Sequence, residues 1–202
     1  TSSSQHTVYY GKTSSCGSCG AGTYSAAGSG KCTTCPTAYP YSAAGSDSIE
    51  DCYMNVSKGY YVKTAKDTSA TKCSGGYART AHTVYYGKTS SCSQCGTGKY
   101  SAAGAETCST CPTAYPNSNA GSDSITDCYM NVSDGYYVKT ANATTATQCS
   151  AGTAKAAHKV NYGSTSSCAT CAAGTYSAAG AASCSTCSAG TSSSAGSSMC
   201  TN

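Results

Sequence analysis

The sequence predicts a small, disulfide-rich fold of mainly β-strand and loop, an elongated tandem-repeat rod with short β-hairpins and little helix. Three observations predict it: 17 cysteines in 202 residues, almost no large aliphatic side chains, and a repeat with a step of 76 residues.

Cysteine at this density marks a disulfide scaffold. Phenylalanine, tryptophan and leucine are absent, and isoleucine occurs only as Ile49 and Ile125. Valine, alanine and 18 tyrosines must supply nearly all the burial. A chain this poor in aliphatic residues stays disordered unless covalent links replace its core. A disulfide closing a loop of about 15 residues contributes roughly 3 kcal/mol. Eight would contribute on the order of 20 kcal/mol if additive. Such links require an oxidising compartment, so the chain is expected outside the cell or at its surface.

Charged residues make up 10% and the net charge is +4, with lysines scattered along the chain. No basic stripe is present, so a nucleic-acid partner is not expected. No apolar run approaches the ~20 residues of a membrane span. No signal peptide is visible at Thr1, which suits a mature form or a fragment.

The repeat organises the chain. Cys16, Cys92 and Cys168 are equivalent, as are Cys19, Cys95 and Cys171. TVYYGKTSSC occurs at Thr7–Cys16 and Thr83–Cys92, CPTAYP at Cys35 and Cys111, DCYMNVS at Asp51 and Asp127, and GYYVKTA at Gly59 and Gly135. Three segments follow: residues 1–76, whose first opening cysteine is missing, residues 77–152, and a truncated third at 153–202. Within each unit some cysteines carry a Cys-x-x-Gly/Ala signature and open loops, and the others close them. The unit reads as three diverged loops.

Pairing each opener with the next closer gives Cys19–Cys32, Cys35–Cys52, Cys73–Cys92, Cys95–Cys108, Cys111–Cys128, Cys149–Cys168, Cys171–Cys184 and Cys187–Cys200. It leaves Cys16 unpaired or linked to another chain. A crossed ladder (Cys16–Cys32, Cys19–Cys35, Cys52–Cys73) leaves Cys200 over instead. The opener signature favours the first; spacing alone does not decide between them. TVYY, GYYVKT and KVNYG read as short strands, and no stretch has a helical period.

The run Cys171, Gly174, Tyr176, Ser177, Gly180, Cys184 and Cys187, with its copies at Cys19–Cys35 and Cys95–Cys111, resembles the ephrin-receptor-like cysteine-rich repeats and, more loosely, tumour-necrosis-factor-receptor modules. The resemblance does not cover Tyr53–Lys72 and Tyr129–Gln148. The long tandem unit and its Ser/Thr/Ala/Gly bias also resemble the surface immobilisation antigens of ciliates. These families imply extracellular rods, coats or receptor stalks. The antigens further imply a lipid anchor as the only membrane contact, with the closing Cys-Thr-Asn as a processed attachment site.

Candidate sites are few. Cys16, Cys19, Cys32 and Cys35 have zinc-like spacing. Cys52 and Cys73 fall outside such a site, so no metal and no cofactor are assigned. His6, His82 and His158 share one repeat position without a partner nucleophile, so they read as packing or surface residues and no enzyme is expected. The acidic loops at Asp47, Glu50, Asp51 and at Asp123, Asp127 lack the glycine-punctuated spacing of a calcium loop and read as capped turns.

Sequons stand at Asn55, Asn131 and Asn142 and are expected to carry glycans. Serine and threonine, close to a third of the chain, invite further O-linked sugar. In the tyrosine pairs, such as Tyr60 with Tyr61 and Tyr85 with Tyr86, one ring is expected to fill the core while its neighbour faces out. The functional expectation is a glycosylated structural protein of a coat or filament that self-associates through its repeat surfaces. The alternative is a ligand-binding or adhesive receptor-like ectodomain, which would carry a patch that does not repeat.

Overall fold

The computed structural model describes residues Ser4–Asn202. Among them the chain is strand and loop, with two single-turn 3-10 segments at Ile49–Asp51 and Ile125–Asp127. All the sheets are two-stranded and antiparallel. The chain forms two compact units, one of Thr1–Gln94 with Ala102–Thr107, the other of Cys95–Ser101 with Cys108–Asn202.

The building block is a disulfide-closed hairpin, and Cys-x-x-Gly is its start. After Cys19, the Thr23 N–H donates to the Gly20 carbonyl (3.2 Å), and Gly22 sits at φ +77°. A hydrogen-bonded turn with positive φ at its third residue is a type II turn, which favours glycine there. Thr23–Tyr24 then pairs with Thr33–Thr34. Cys32 bonds back to Cys19, and Cys35 donates its N–H to the Gly22 carbonyl (3.0 Å). Where Cys-Pro-Thr-Ala opens the loop, Tyr39 N–H turns back to Pro36 (2.8 Å) without needing positive φ.

Eight disulfides join each opener to the next closer, from Cys19–Cys32 through Cys187–Cys200. Their Cα–Cα distances are 5.7–5.9 Å, within the ordinary range. Cys16 is free and exposed.

The complete unit has four hairpins, where cysteine spacing gives three loops. The extra one lies in the cysteine-free stretch. Ser57 accepts the Tyr60 N–H around Gly59 (φ +75°), Tyr60–Tyr61 pairs with Thr71–Lys72, and Cys73 N–H donates to the Gly59 carbonyl (2.8 Å). Three residues before Gly59, where an opening cysteine would stand, is Val56. One residue before the return strand, where a closing cysteine would stand, is Ala70. Both belong to one apolar cluster with Tyr39, Met54, Val62 and Val84. The second unit repeats this with Val132 and Ala146.

Strand Tyr53–Val56 pairs with His82–Tyr85, and Tyr129–Val132 with His158–Asn161. In the first copy the TVYY tract forms no strand. Its register partner, the Tyr-Met-Asn-Val tract, stands upstream in the other copies, and the first has none before it in these residues.

Successive hairpins are tied by backbone. Gly45 N–H donates to the Cys19 carbonyl (2.8 Å), and the bond recurs from Gly104 to Cys73, Gly121 to Cys95, Gly180 to Cys149 and Gly196 to Cys171. The approach is close enough that a Cβ on Gly135 would lie 1.9 Å from the Gly180 carbonyl oxygen. The buried serines complete the join. Ser42, Ser118 and Ser177 donate their hydroxyls to the carbonyls of Thr23, Lys99 and Thr153 at 2.8–3.0 Å. Small residues let the backbones approach, and the bonds they bring remove the cost of burying a hydroxyl.

The Val132/Ala146 equivalence yields a direct test. Val132→Cys with Ala146→Cys is expected to form a ninth disulfide and to stabilise the hairpin by roughly 1–3 kcal/mol. Thiol counting and non-reducing peptide mapping check the bond, and urea unfolding checks the gain.

Candidate functional site

The histidines hold the return strand onto the cysteine-free hairpin. His82 Nδ1 lies 3.0 Å from the Thr80 carbonyl and 3.4 Å from Arg79 Nε. His82 Nε2 meets the Ser90 hydroxyl (2.9 Å), and Ser90 Oγ accepts the Val62 N–H (2.9 Å). Ser90 N–H returns to the Val62 carbonyl (2.9 Å). The second unit repeats the chain through Ala156, His158, Ser166 and Val138. A serine within reach of an imidazole has the spacing of a nucleophile and its base. Here the oxygen is already occupied by a backbone N–H, and a carbonyl rather than a carboxylate orients the ring. The arrangement ties two elements together. In the first copy His6 Nδ1 meets the Ser4 carbonyl (2.8 Å).

The fully buried tyrosines are Tyr39 and Tyr115 of the CPTAYP motif. Their hydroxyls donate to the Asp67 and Ala143 carbonyls (2.9 and 3.0 Å), and their rings meet Tyr86 and Tyr162 edge to face. Burial pushes both phenols above their ordinary value, with Asp67 and Tyr86 adding to the shift at Tyr39 and Tyr162 at Tyr115. Among the pairs, Tyr85 faces out while Tyr86 packs on the core, as alternation predicts, but Tyr60 and Tyr61 are both half-buried.

The acidic loops are capped turns. Asp51 Oδ2 accepts the N–H groups of Asp47 and Ser48, and Ser48 Oγ accepts that of Glu50. Asp127 and Ser124 repeat the box. Among the described residues no group of three or more His, Cys, Asp or Glu is placed to hold a metal. The cysteines with zinc-like spacing are in disulfides apart from Cys16.

Two surfaces remain. The first is a groove that occurs once in each unit, about 500 Å³ in the first and 530 Å³ in the second. Met54, Val56, Tyr60 and Ala70 line it, with the sequon residues Asn55 and Ser57. Met130, Asn131, Val132, Ser133, Tyr136 and Ala146 line its counterpart. Asn55 and Asn131 are exposed. The third sequon is placed differently: Asn142 sits at φ +61° and its Oδ1 accepts the Gly163 N–H (2.7 Å).

The second surface does not repeat. In the first unit Tyr41, Tyr53 and Tyr85 form a row with ring centroids 5.5 and 5.6 Å apart. In the second, Asn117 and Asn161 replace the outer rings, and Lys159 replaces Thr83 and reaches over Tyr129 (4.3 Å to the ring centroid). There a polar pocket of about 490 Å³ opens between Asp123, Asp127, Lys159 and Asn161. Cysteine and motif spacing cannot show that these substitutions meet. The strand register does, because it places Asn161 opposite Tyr129.

Compared with known proteins, the chain matches no family model and no curated protein. Its eight disulfides are those of an oxidising, extracellular environment. No helix among the described residues is long and apolar enough to cross a membrane.

Two measurements probe these interactions. His158→Ala and Ser166→Ala are each expected to cost about 1 kcal/mol, with the double variant costing less than their sum in urea unfolding because the pair acts as a unit. The raised phenols set an alkaline limit. Their contribution is fully present below about pH 10, the ordinary phenol value, and is lost as pH rises through the higher folded value. Thermal melts of Cys16→Ser protein should fall above about pH 10, and Tyr39→Phe with Tyr115→Phe should flatten that fall.

Proposed function

We propose that this chain is a non-enzymatic structural subunit of an extracellular coat or filament, glycosylated at Asn55, Asn131 and Asn142 and self-associating through its repeat surfaces. The observation that carries the reading is the recurring bond from turn glycine to opening cysteine. It uses only backbone atoms, so any number of hairpins can be added by the same join. The likeness to ephrin-receptor-like repeats and to ciliate surface antigens supports an extracellular setting for such an array. Exposed Tyr9, Tyr10 and Tyr85 offer large areas with polar tips for lateral contacts, and exposed Cys16 offers a covalent lock.

The second reading, an adhesive or receptor-like ectodomain, is favoured by the surface at Asn117, Tyr129, Lys159 and Asn161. A patch confined to one unit suits a single ligand better than an assembly of equals.

Self-assembly separates the two. Protein secreted into an oxidising medium is expected to form oligomers at micromolar concentration, seen by light scattering and electron microscopy. A covalent dimer on non-reducing gels should disappear in Cys16→Ser. A strictly monomeric chain whose binding to a surface glycan is abolished by Lys159→Thr would replace the first reading with the second.

A further inference from the structure

We infer that the groove beside each sequon is the seat of the glycan carried there: the first N-acetylhexosamine on Asn55 lies against Met54 and Tyr60, and that on Asn131 against Met130 and Tyr136. The inference rests on the glycosylated reading above and adds where the sugar goes and what it does.

Three observations point to it. Both the acceptor asparagine and the sequon serine line the groove, and the asparagine is exposed, so a sugar attached to it starts at the groove's edge. The groove's wall is a methionine, a valine, an alanine and a tyrosine face, and such a sugar presents a matching C–H face and an acetyl methyl. The residues of this wall are the same in the two units, although Lys58 nearby is Asp134 in the second and Tyr41, which lines the first groove, is Asn117 there. The groove also belongs to the one hairpin that has no disulfide. A sugar there covers apolar surface where the covalent staple is missing.

Attachment is an ordinary transfer from a lipid diphosphate-linked oligosaccharide. Nδ2 forms a bond to the sugar C1, the C1–O bond to the diphosphate breaks, the diphosphate leaves with the electron pair, and Nδ2 loses one proton. A sugar–tyrosine contact is weak between free molecules, but the tether holds the sugar at an effective concentration in the millimolar range.

The experiment compares secreted protein, the same protein trimmed to one sugar, wild-type chain from a host without the transferase, and the variants Ser133→Ala and Asn131→Gln. Peptide mapping reports occupancy, and hydrogen exchange reports opening of Tyr136–Gln148. Amides of this hairpin are expected to exchange on the order of tenfold faster in every form lacking the sugar. Trimming to one sugar should leave them protected, and the Cys95–Cys108 hairpin should not change. Nuclear Overhauser contacts from the first sugar to Met130 and Tyr136 should accompany the protection. Bare Asn55 and Asn131 in secreted protein would overturn the glycosylated reading itself. Occupied Asn131 with unchanged exchange and no such contacts would overturn only the seat.

Discussion

Gly45 gives its N–H to the carbonyl of Cys19, and four further turn glycines do the same to the opening cysteine of a neighbouring hairpin. Much else depends on this bond. It forms only if two backbones meet with almost nothing between them, which is why a Cβ at Gly59, Gly135 or Gly152 would fall inside the carbonyl of Gly104, Gly180 or Gly196. Large aliphatic residues at the join would hold the backbones apart. The absence of leucine and phenylalanine is therefore in keeping with the architecture. Serine fits the join because its hydroxyl reaches the next carbonyl and remains hydrogen-bonded once buried.

A join of this kind buries little apolar area, and the disulfides carry the remaining burden by restricting the unfolded chain. The cysteine-free hairpin shows the limit of that device. With Val56 and Ala70 in the cysteine positions, it must be held by packing, and the fully buried Tyr39 and Val62 stand beside it. The return strand and the His82–Ser90–Val62 hydrogen bonds reinforce the same place. The one hairpin of each unit without a staple thus shares a recognisable hydrophobic core with the stapled hairpin before it, whose disulfide and buried tyrosine belong to the same cluster.

Much of this was legible in the sequence. The Cys-x-x-Gly signature predicts the openers because glycine at the third turn position leaves a local mark. The capped turns at Ser48 and Ser124 follow from the same kind of short-range pattern. The fourth hairpin carries no cysteine signature because its opener is a valine, although Val56-x-x-Gly59 followed by Tyr60 has the same form with one residue changed. The strand Tyr53–Val56 leaves no local mark because its partner, His82–Tyr85, is remote in sequence. The polar pocket beside Lys159 is hidden for that reason too, since only the strand pairing brings Lys159 and Asn161 to the capped turn of Asp123 and Asp127.

The same join explains where this fold allows change. Every residue buried in the first unit, from Cys19 and Ser25 through Tyr39, Met54 and Val62 to Val84, has the same identity in the second. The substitutions between the copies fall on exposed or half-buried positions, such as Tyr41 to Asn117, Thr83 to Lys159 and Tyr85 to Asn161. When backbone bonds, serines and disulfides hold a unit together, outward side chains contribute little to stability and can diverge at small cost. One unit can then present a tyrosine row and the next a charged polar pocket on the same scaffold. An array built this way can keep its joins uniform while individual units acquire distinct surfaces, so assembly and ligand binding need not compete for the same residues.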